Sequence, residues 1–162
     1  MDLRGIREFF RDIFKYIVVA VLVFLVFIFV IGLQQVVGPS MYPTYKDGNV
    51  IVVNKLSYRF GSVKRGDIIV LSESEKYMIK RVIGLPGETI EYKDNKLYIN
   101  GNEYNEKYLN DNVYTEDFTS RVIPEGEYLV LGDNRTDSLD SRDYGFISKK
   151  QIVGKVWFKI WN

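Results

Sequence analysis

Three stretches of the chain hold residue types that could do chemistry together. The first is VVGPSMYPTYKDG, residues 36–48, in which Ser40 stands between Pro39 and Pro43. Two prolines around one serine fix the backbone and hold a hydroxyl outward, which suits a stiff turn or a nucleophile. A serine attacks only when a neighbouring base takes its proton. With no histidine and no cysteine in the chain, imidazole and thiolate are ruled out, and lysine becomes the leading base.

An unperturbed lysine, with a pKa of about 10.4, is neutral in only about one molecule in 2,500 at pH 7, so a lysine base needs its cation destabilised by roughly 4.6 kcal/mol. Burial among apolar groups shifts a lysine by that order, and an exposed position does not. Lys80 in YMIKRVIGLPG fits best. If residues 77–83 are extended, Met78, Lys80 and Val82 share one face and Tyr77, Ile79, Arg81 and Ile83 the other. The same pattern also describes an ordinary strand lysine whose stem packs while its head reaches water, and spacing alone does not pair it with Ser40.

The third stretch is EYLVLGDNRTDSLDSRDYGF, residues 127–146. A strand ending in Gly132-Asp133-Asn134 suits a tight turn, and the polar run after it reads as a solvated loop tied by Asp140 and Arg142. A calcium loop over Asp133 to Asp137 is disfavoured because Arg135 stands where an oxygen ligand would be needed. No metal site is expected.

These residues need elements to position them. From Tyr16 to Leu33 the chain reads YIVVAVLVFLVFIFVIGL, without a charge. As a helix this spans about 27 Å, close to a hydrocarbon core of about 30 Å. Arg4, Arg7, Arg11 and Lys15 precede it, and the first comparable stretch after it holds only Lys46. The positive-inside tendency then divides the chain into a basic cytoplasmic N-terminus (1–15), a transmembrane signal-anchor helix (16–33) and an extracytoplasmic part (34–162). Ser40 follows so soon that it lies at most about 25 Å beyond the membrane helix.

After residue 50 the pattern changes to NVIVVNKL, GDIIVLS, YMIKRVIGL, KLYINGNEY, EYLVLGD and GKVWFKIW, short runs rich in Val, Ile and Tyr. They predict a mainly β, antiparallel domain. Asp94-Asn95 and Asn100-Gly101 bracket KLYI as a strand between two tight turns. Charge is balanced at 22 basic and 21 acidic residues, so no basic field points to nucleic acid.

SMYPTY at 40–45, GDIIVL at 66–71, YMIKRVIGLPGE at 77–88 and GDNRTDSLDSRDYGF at 132–146, in this order behind an N-terminal anchor, resemble the motifs of bacterial type I signal peptidases, in a Gram-positive-like short form. The resemblance covers nearly the whole chain. It implies a membrane-bound serine endopeptidase with a Ser/Lys dyad and an acyl-enzyme intermediate. Such an enzyme removes signal peptides from secretory preproteins after small residues, as in Ala-x-Ala, with no cofactor. It implies Ser40 as nucleophile, Lys80 as general base, Ser138 as the residue that orients the lysine amine, and Asp140, Arg142 and Gly132 as structural support. The family fold takes the substrate as an added β-strand. The expected partners are preproteins and membrane lipid, for a monomer in the bacterial cell membrane.

Some members carry a serine two positions before the nucleophile, where this chain has Gly38, which leaves the oxyanion hole mainly to the Ser40 backbone N–H. Tyr45 replaces the more usual leucine, and residues 89–121 form a reduced insertion. Two rival readings stay open. A self-cleaving repressor uses a similar dyad but needs a DNA-binding helical domain where this chain has an anchor, and an anchored β module could bind exported chains without cutting them.

Overall fold

The computed structural model describes residues 3–73, 76–110 and 112–161. Met1 and Asp2 of the expected cytoplasmic segment, and Asn162 at the end of the expected extracytoplasmic part, lie outside the described residues. Helix α1 (Leu3–Val30) runs without a break through the basic flank and most of the apolar tract. Its most apolar window has a mean hydropathy of 3.0 and is 0% buried against protein. Side chains such as Phe24, Val26 and Phe29 therefore have no protein surface to cover them, as suits a helix that meets lipid.

The apolar tract divides at Val30, three residues before its sequence-predicted end. Ile31–Gln35 form strand β1, which pairs antiparallel with Val50–Asn54, and the Val30 carbonyl already accepts the Lys55 N–H at 2.9 Å. The backbone partners waiting in that neighbouring strand draw the chain out of the helix. A run of apolar residues alone does not mark this change.

In chain order there follow β2 (Val50–Asn54), α2 (Ser57–Phe60), β3 (Ile68–Glu73), β4 (Lys76–Gly84), β5 (Ile90–Lys93), β6 (Lys96–Ile99), β7 (Asn102–Tyr104), β8 (Phe118–Thr119), β9 (Glu127–Leu131), α3 (Ser141–Tyr144), β10 (Ile147–Ser148) and β11 (Ile152–Trp161). They build a seven-stranded sheet in the order β1-β2-β11-β3-β4-β9-β10 and a four-stranded sheet in the order β7-β6-β5-β8. The strand pairs are antiparallel, as the sequence predicted. The smaller sheet is the segment read as a reduced insertion. Its hairpins turn at Asp94-Asn95 and Asn100-Gly101, whose φ angles of 52°, 62°, 51° and 79° are the left-handed values that tight hairpin loops require.

Strand β4 organises the core. Ile79 joins a cluster with Val36, Met41, Tyr45 and Val53, and Ile83 joins another with Ile90, Tyr92 and Leu131 between the two sheets. Val82 and Met78, on the opposite face, pack with Ile69, Leu71 and Val130. Beyond its exposed first two residues, Lys76 and Tyr77, the strand is thus apolar on both faces, and the two charged residues in its interior, Lys80 and Arg81, are buried.

Candidate active site

Ser40 lies in the turn after β1, and that turn is held on several sides. Met41 is 1% exposed and plugs the first core cluster. Within the turn, the Tyr42 N–H donates to the Pro39 carbonyl at 2.9 Å and the Tyr45 N–H to the Met41 carbonyl at 2.8 Å. From the far side the Asn134 N–H donates to the Ser40 carbonyl at 3.0 Å, and the Asn134 side chain donates to the Pro39 carbonyl at 3.3 Å. The Thr44 hydroxyl donates to Asp133. Neither the hydroxyl nor the backbone N–H of Ser40 donates to any described residue.

Gly38 has φ +85°, and its N–H donates to Asp47 Oδ1 at 2.8 Å. A side chain at this position would sit in the left-handed region, which glycine adopts without strain. Tyr45 is buried, and burial pushes its phenol pKa up.

Lys80 is 3% exposed. It pairs with Ile69 of β3, and the next residue, Arg81, pairs antiparallel with Leu131 of β9, so that stepping back to Lys80 brings it level with the residue after Leu131, namely Gly132. No hydrogen bond or ion pair holds its amine among the described residues, including any to Ser40 or Ser138. Because no fully buried side-chain polar atom there lacks a partner, the amine must reach the small accessible patch that Lys80 retains. Burial pushes the Lys80 pKa below its ordinary value, while Asp140 pulls it back up and Arg142 lowers it further.

Gly132 joins the parts. A side chain there would collide with both the Ser138 hydroxyl and the Ser40 carbonyl, so the absence of a Cβ lets these two serines flank one backbone position. The Gly132 N–H donates to Asp140 Oδ2 at 3.0 Å, and the Ser138 hydroxyl donates to the same oxygen at 2.8 Å. Arg142 grips Asp140 with Nε on Oδ1 and Nη2 on Oδ2, both at 2.9 Å. Burial pushes the Asp140 pKa up, but hydrogen bonds from Arg142, Gly132 and Ser138 outweigh it and hold the carboxyl below its ordinary value. Asp140 also caps α3 through the Arg142 N–H.

The structure therefore sets the Ser40 carbonyl and the Ser138 hydroxyl against Gly132, ties Ser138, Asp140 and Arg142 by hydrogen bonds, and places Lys80 level with Gly132 by strand register. Several residues that the sequence left without a role hold this arrangement. Arg81 donates to Asp133 at 2.8 and 2.6 Å, and Asp133, fully buried, also accepts from Thr44, so one ion pair ties the Ser40 turn to β4. Arg135 donates through Nε to the Gly132 carbonyl at 3.0 Å and pairs with Glu106 at 2.6 Å. For Arg81 the available signal was an arginine inside an apolar strand, which demands a buried acid. Among the described residues, no group of three or more His, Cys, Asp or Glu side chains could hold a metal ion.

Comparison with known proteins gives a consistent picture. The chain is 40% identical to signal peptidase IB of Staphylococcus aureus (strain Mu50) over 96% of its own length and 91% of that protein's. It is 44% identical to signal peptidase I of Bacillus caldolyticus, covering 83% of this chain and 81% of that one. Its fold is similar to the crystal structure of a signal peptidase I from Enterococcus faecalis, with a TM-score of 0.54 and 40% identity, over 59% of this chain and 97% of that one. A model of the signal peptidase family, peptidase S26, matches residues 9–161. The motifs around Ser40, Lys80 and Ser138 all fall inside that match, and the chain belongs to the signal peptidase family, peptidase S26, whose members are hydrolases that process signal peptides.

Proposed function

We propose that this chain is a membrane-anchored serine endopeptidase that removes N-terminal signal peptides from exported preproteins by a Ser/Lys dyad, cutting after small residues in an Ala-x-Ala-like context. One observation carries the reading: a lysine 3% exposed, without a counter-ion of its own, opposite the glycine that Ser40 and Ser138 flank.

In the acylation step, the neutral Lys80 amine takes the Ser40 hydroxyl proton as Oγ bonds to the scissile carbonyl carbon. The displaced electron pair settles on the carbonyl oxygen, which the unengaged Ser40 N–H stabilises. Collapse of this intermediate breaks the C–N bond, and the departing amine takes the proton back from Lys80. Water then gives a proton to Lys80 and attacks the Ser40 ester; the C–Oγ bond breaks and Oγ recovers its proton. Ser138 donates its own proton to Asp140, which leaves its lone pairs to accept an N–H of the Lys80 amine and so orient it. Asp140 and Arg142 hold Ser138 for that task.

The substrate enters as a strand. β1 lies at one edge of the large sheet and leads directly to Ser40, so an extended peptide can add to its outer side. A cavity of about 400 Å³ beside it, lined by Leu33, Gln34, Val53, Tyr77 and Val153 among others, gives room for the residues before the cut. Helix α1 keeps this edge at the outer membrane surface, with the basic N-terminus in the cytoplasm and the sheets outside. The enzyme works as a monomer among membrane lipid and needs no cofactor.

The test is processing of a preprotein by the purified full chain in lipid. The expected product is a mature protein whose new N-terminus follows a small residue, with no product from Ser40→Ala or Lys80→Ala. Processing at the normal rate by either variant would refute the dyad, and no processing by the unaltered chain would leave a binding module.

A further inference from the structure

The smaller sheet and the loop between its strands β7 and β8 reach into the site through one largely covered carboxylate. Glu106 accepts four hydrogen bonds on two oxygens: Tyr92 at 2.7 Å and Arg135 Nη1 at 3.1 Å on Oε2, and Arg135 Nη2 at 2.6 Å and the Tyr108 hydroxyl on Oε1. That fills the acceptor capacity of a carboxylate. The Arg135 side chain is 0% exposed and that of Glu106 10%. Nη1 of Arg135 also reaches the Tyr92 hydroxyl at 2.6 Å and Thr115 Oγ1 at 3.1 Å, and its Nε donates to the Gly132 carbonyl at 3.0 Å.

A guanidinium is planar and rigid, so its fork on Glu106 fixes where Nε points, and Nε fixes the Gly132 carbonyl. Gly132 is thus pinned from both sides, by Arg135 at its carbonyl and by Asp140 at its N–H, and it has no spare room against Ser138 and Ser40. Tyr108, which Glu106 also orients, lays its ring 3.9 Å from Arg81 Cζ and covers the second ion pair of the site.

We infer that Glu106 is a positioning residue for peptide-bond cleavage: acting through Arg135, it sets the Gly132 backbone that spaces Ser40 from Ser138 opposite Lys80. The inference rests on the Ser/Lys reading above. It gives residues 89–121 a part in the chemistry, beyond closing one side of the core.

Glutamine at 106 cannot accept from all four donors, and its own N–H₂ would face the guanidinium. Lysine at 135 keeps the charge against Glu106 but cannot reach Gly132 at the same time. Glu106→Gln and Arg135→Lys are each expected to lower kcat on a preprotein about 10- to 100-fold, the scale of a misplacement of about 1 Å, with KM within about twofold. Near-UV circular dichroism on the same samples reports folding. Where either variant fails to fold, Tyr92→Phe and Thr115→Val, which leave the ion pair whole, decide: kcat lowered about two- to fivefold at unchanged KM supports the inference. Normal kcat in folded Glu106→Gln and Arg135→Lys, or in both milder variants, overturns it. Ser40→Ala run in parallel separates the two claims: an active Ser40→Ala protein sinks the dyad, whereas normal kcat in the Glu106 and Arg135 variants of an enzyme that Ser40→Ala silences sinks only this inference.

Discussion

Lys80 and Arg81 are consecutive cations on one strand, 3% and 7% exposed, and the two faces of β4 treat them in opposite ways. Arg81 meets the Asp133 carboxylate twice, donates to the Gly66 carbonyl at 3.1 Å and lies against the Tyr108 ring. Lys80 has apolar neighbours on its face and no partner of its own among the described residues. The acid nearest to it in effect, Asp140, is already engaged by Arg142, Gly132 and Ser138. Burial alone therefore does not make a base. A guanidinium cannot give up its proton and must be paired when buried, whereas an unpaired buried ammonium escapes the cost of desolvation by becoming neutral.

The sharpest way to break this contrast is to give position 80 a cation that stays charged. Lys80→Arg is expected to lower kcat/KM for preprotein cleavage by at least about 10³-fold, because arginine cannot take the Ser40 proton. A variant within tenfold of normal would mean that position 80 needs only positive charge.

Removing the charge on the other face should act on stability instead. Arg81→Met leaves Asp133 buried without its partner and is expected to cost about 3–5 kcal/mol in urea unfolding of the enzyme in detergent. A loss below about 1 kcal/mol would show that Asp133 finds water or another donor.

Lys80→Met should do the reverse and stabilise the fold, by about 1–3 kcal/mol at neutral pH, since it removes a desolvated amine that has no counter-ion. The sign follows from linkage. The folded-state pKa of Lys80 is lowered from 10.5, so between that lowered pKa and 10.5 the unfolded chain binds more protons than the folded one. Stability of the unaltered enzyme rises with pH across this window, and its deficit relative to Lys80→Met must narrow there. A gap independent of pH would contradict unpaired burial.

The smallest effect is expected at Gly38, two residues before Ser40. Gly38→Ala places a Cβ at φ +85° and should cost about 1–2 kcal/mol, read as a lower melting temperature. No change would mean that the loop relaxes.

The sequence made Ser40, Lys80 and the two hairpin turns legible because each rests on local chemistry: prolines beside a hydroxyl, a lysine among apolar strand residues, and the turn-forming pairs Asp94-Asn95 and Asn100-Gly101. It did not separate β1 from α1, because Ile31 and Leu33 are as apolar in a strand as in a helix and only pairing with β2 decides. Arg135 was legible as an obstacle to calcium but not as a buried strut, because its partner Glu106 lies 29 residues away in the chain. Thr44 and Asp133 are 89 residues apart in the chain and meet only in the folded structure. Local signals name the candidate residues, and tertiary contacts between distant residues space them.

The most direct measurement is the titration of the Lys80 side chain by NMR in the full-length enzyme, assigned by comparison with Lys80→Met and set beside the pH dependence of kcat/KM. A midpoint well below 10.5 that coincides with the acid limb of the rate profile, activity rising as the amine loses its proton, is the predicted result. A Lys80 amine that titrates at or above 10.5, in an enzyme fully active near neutrality, would contradict the account.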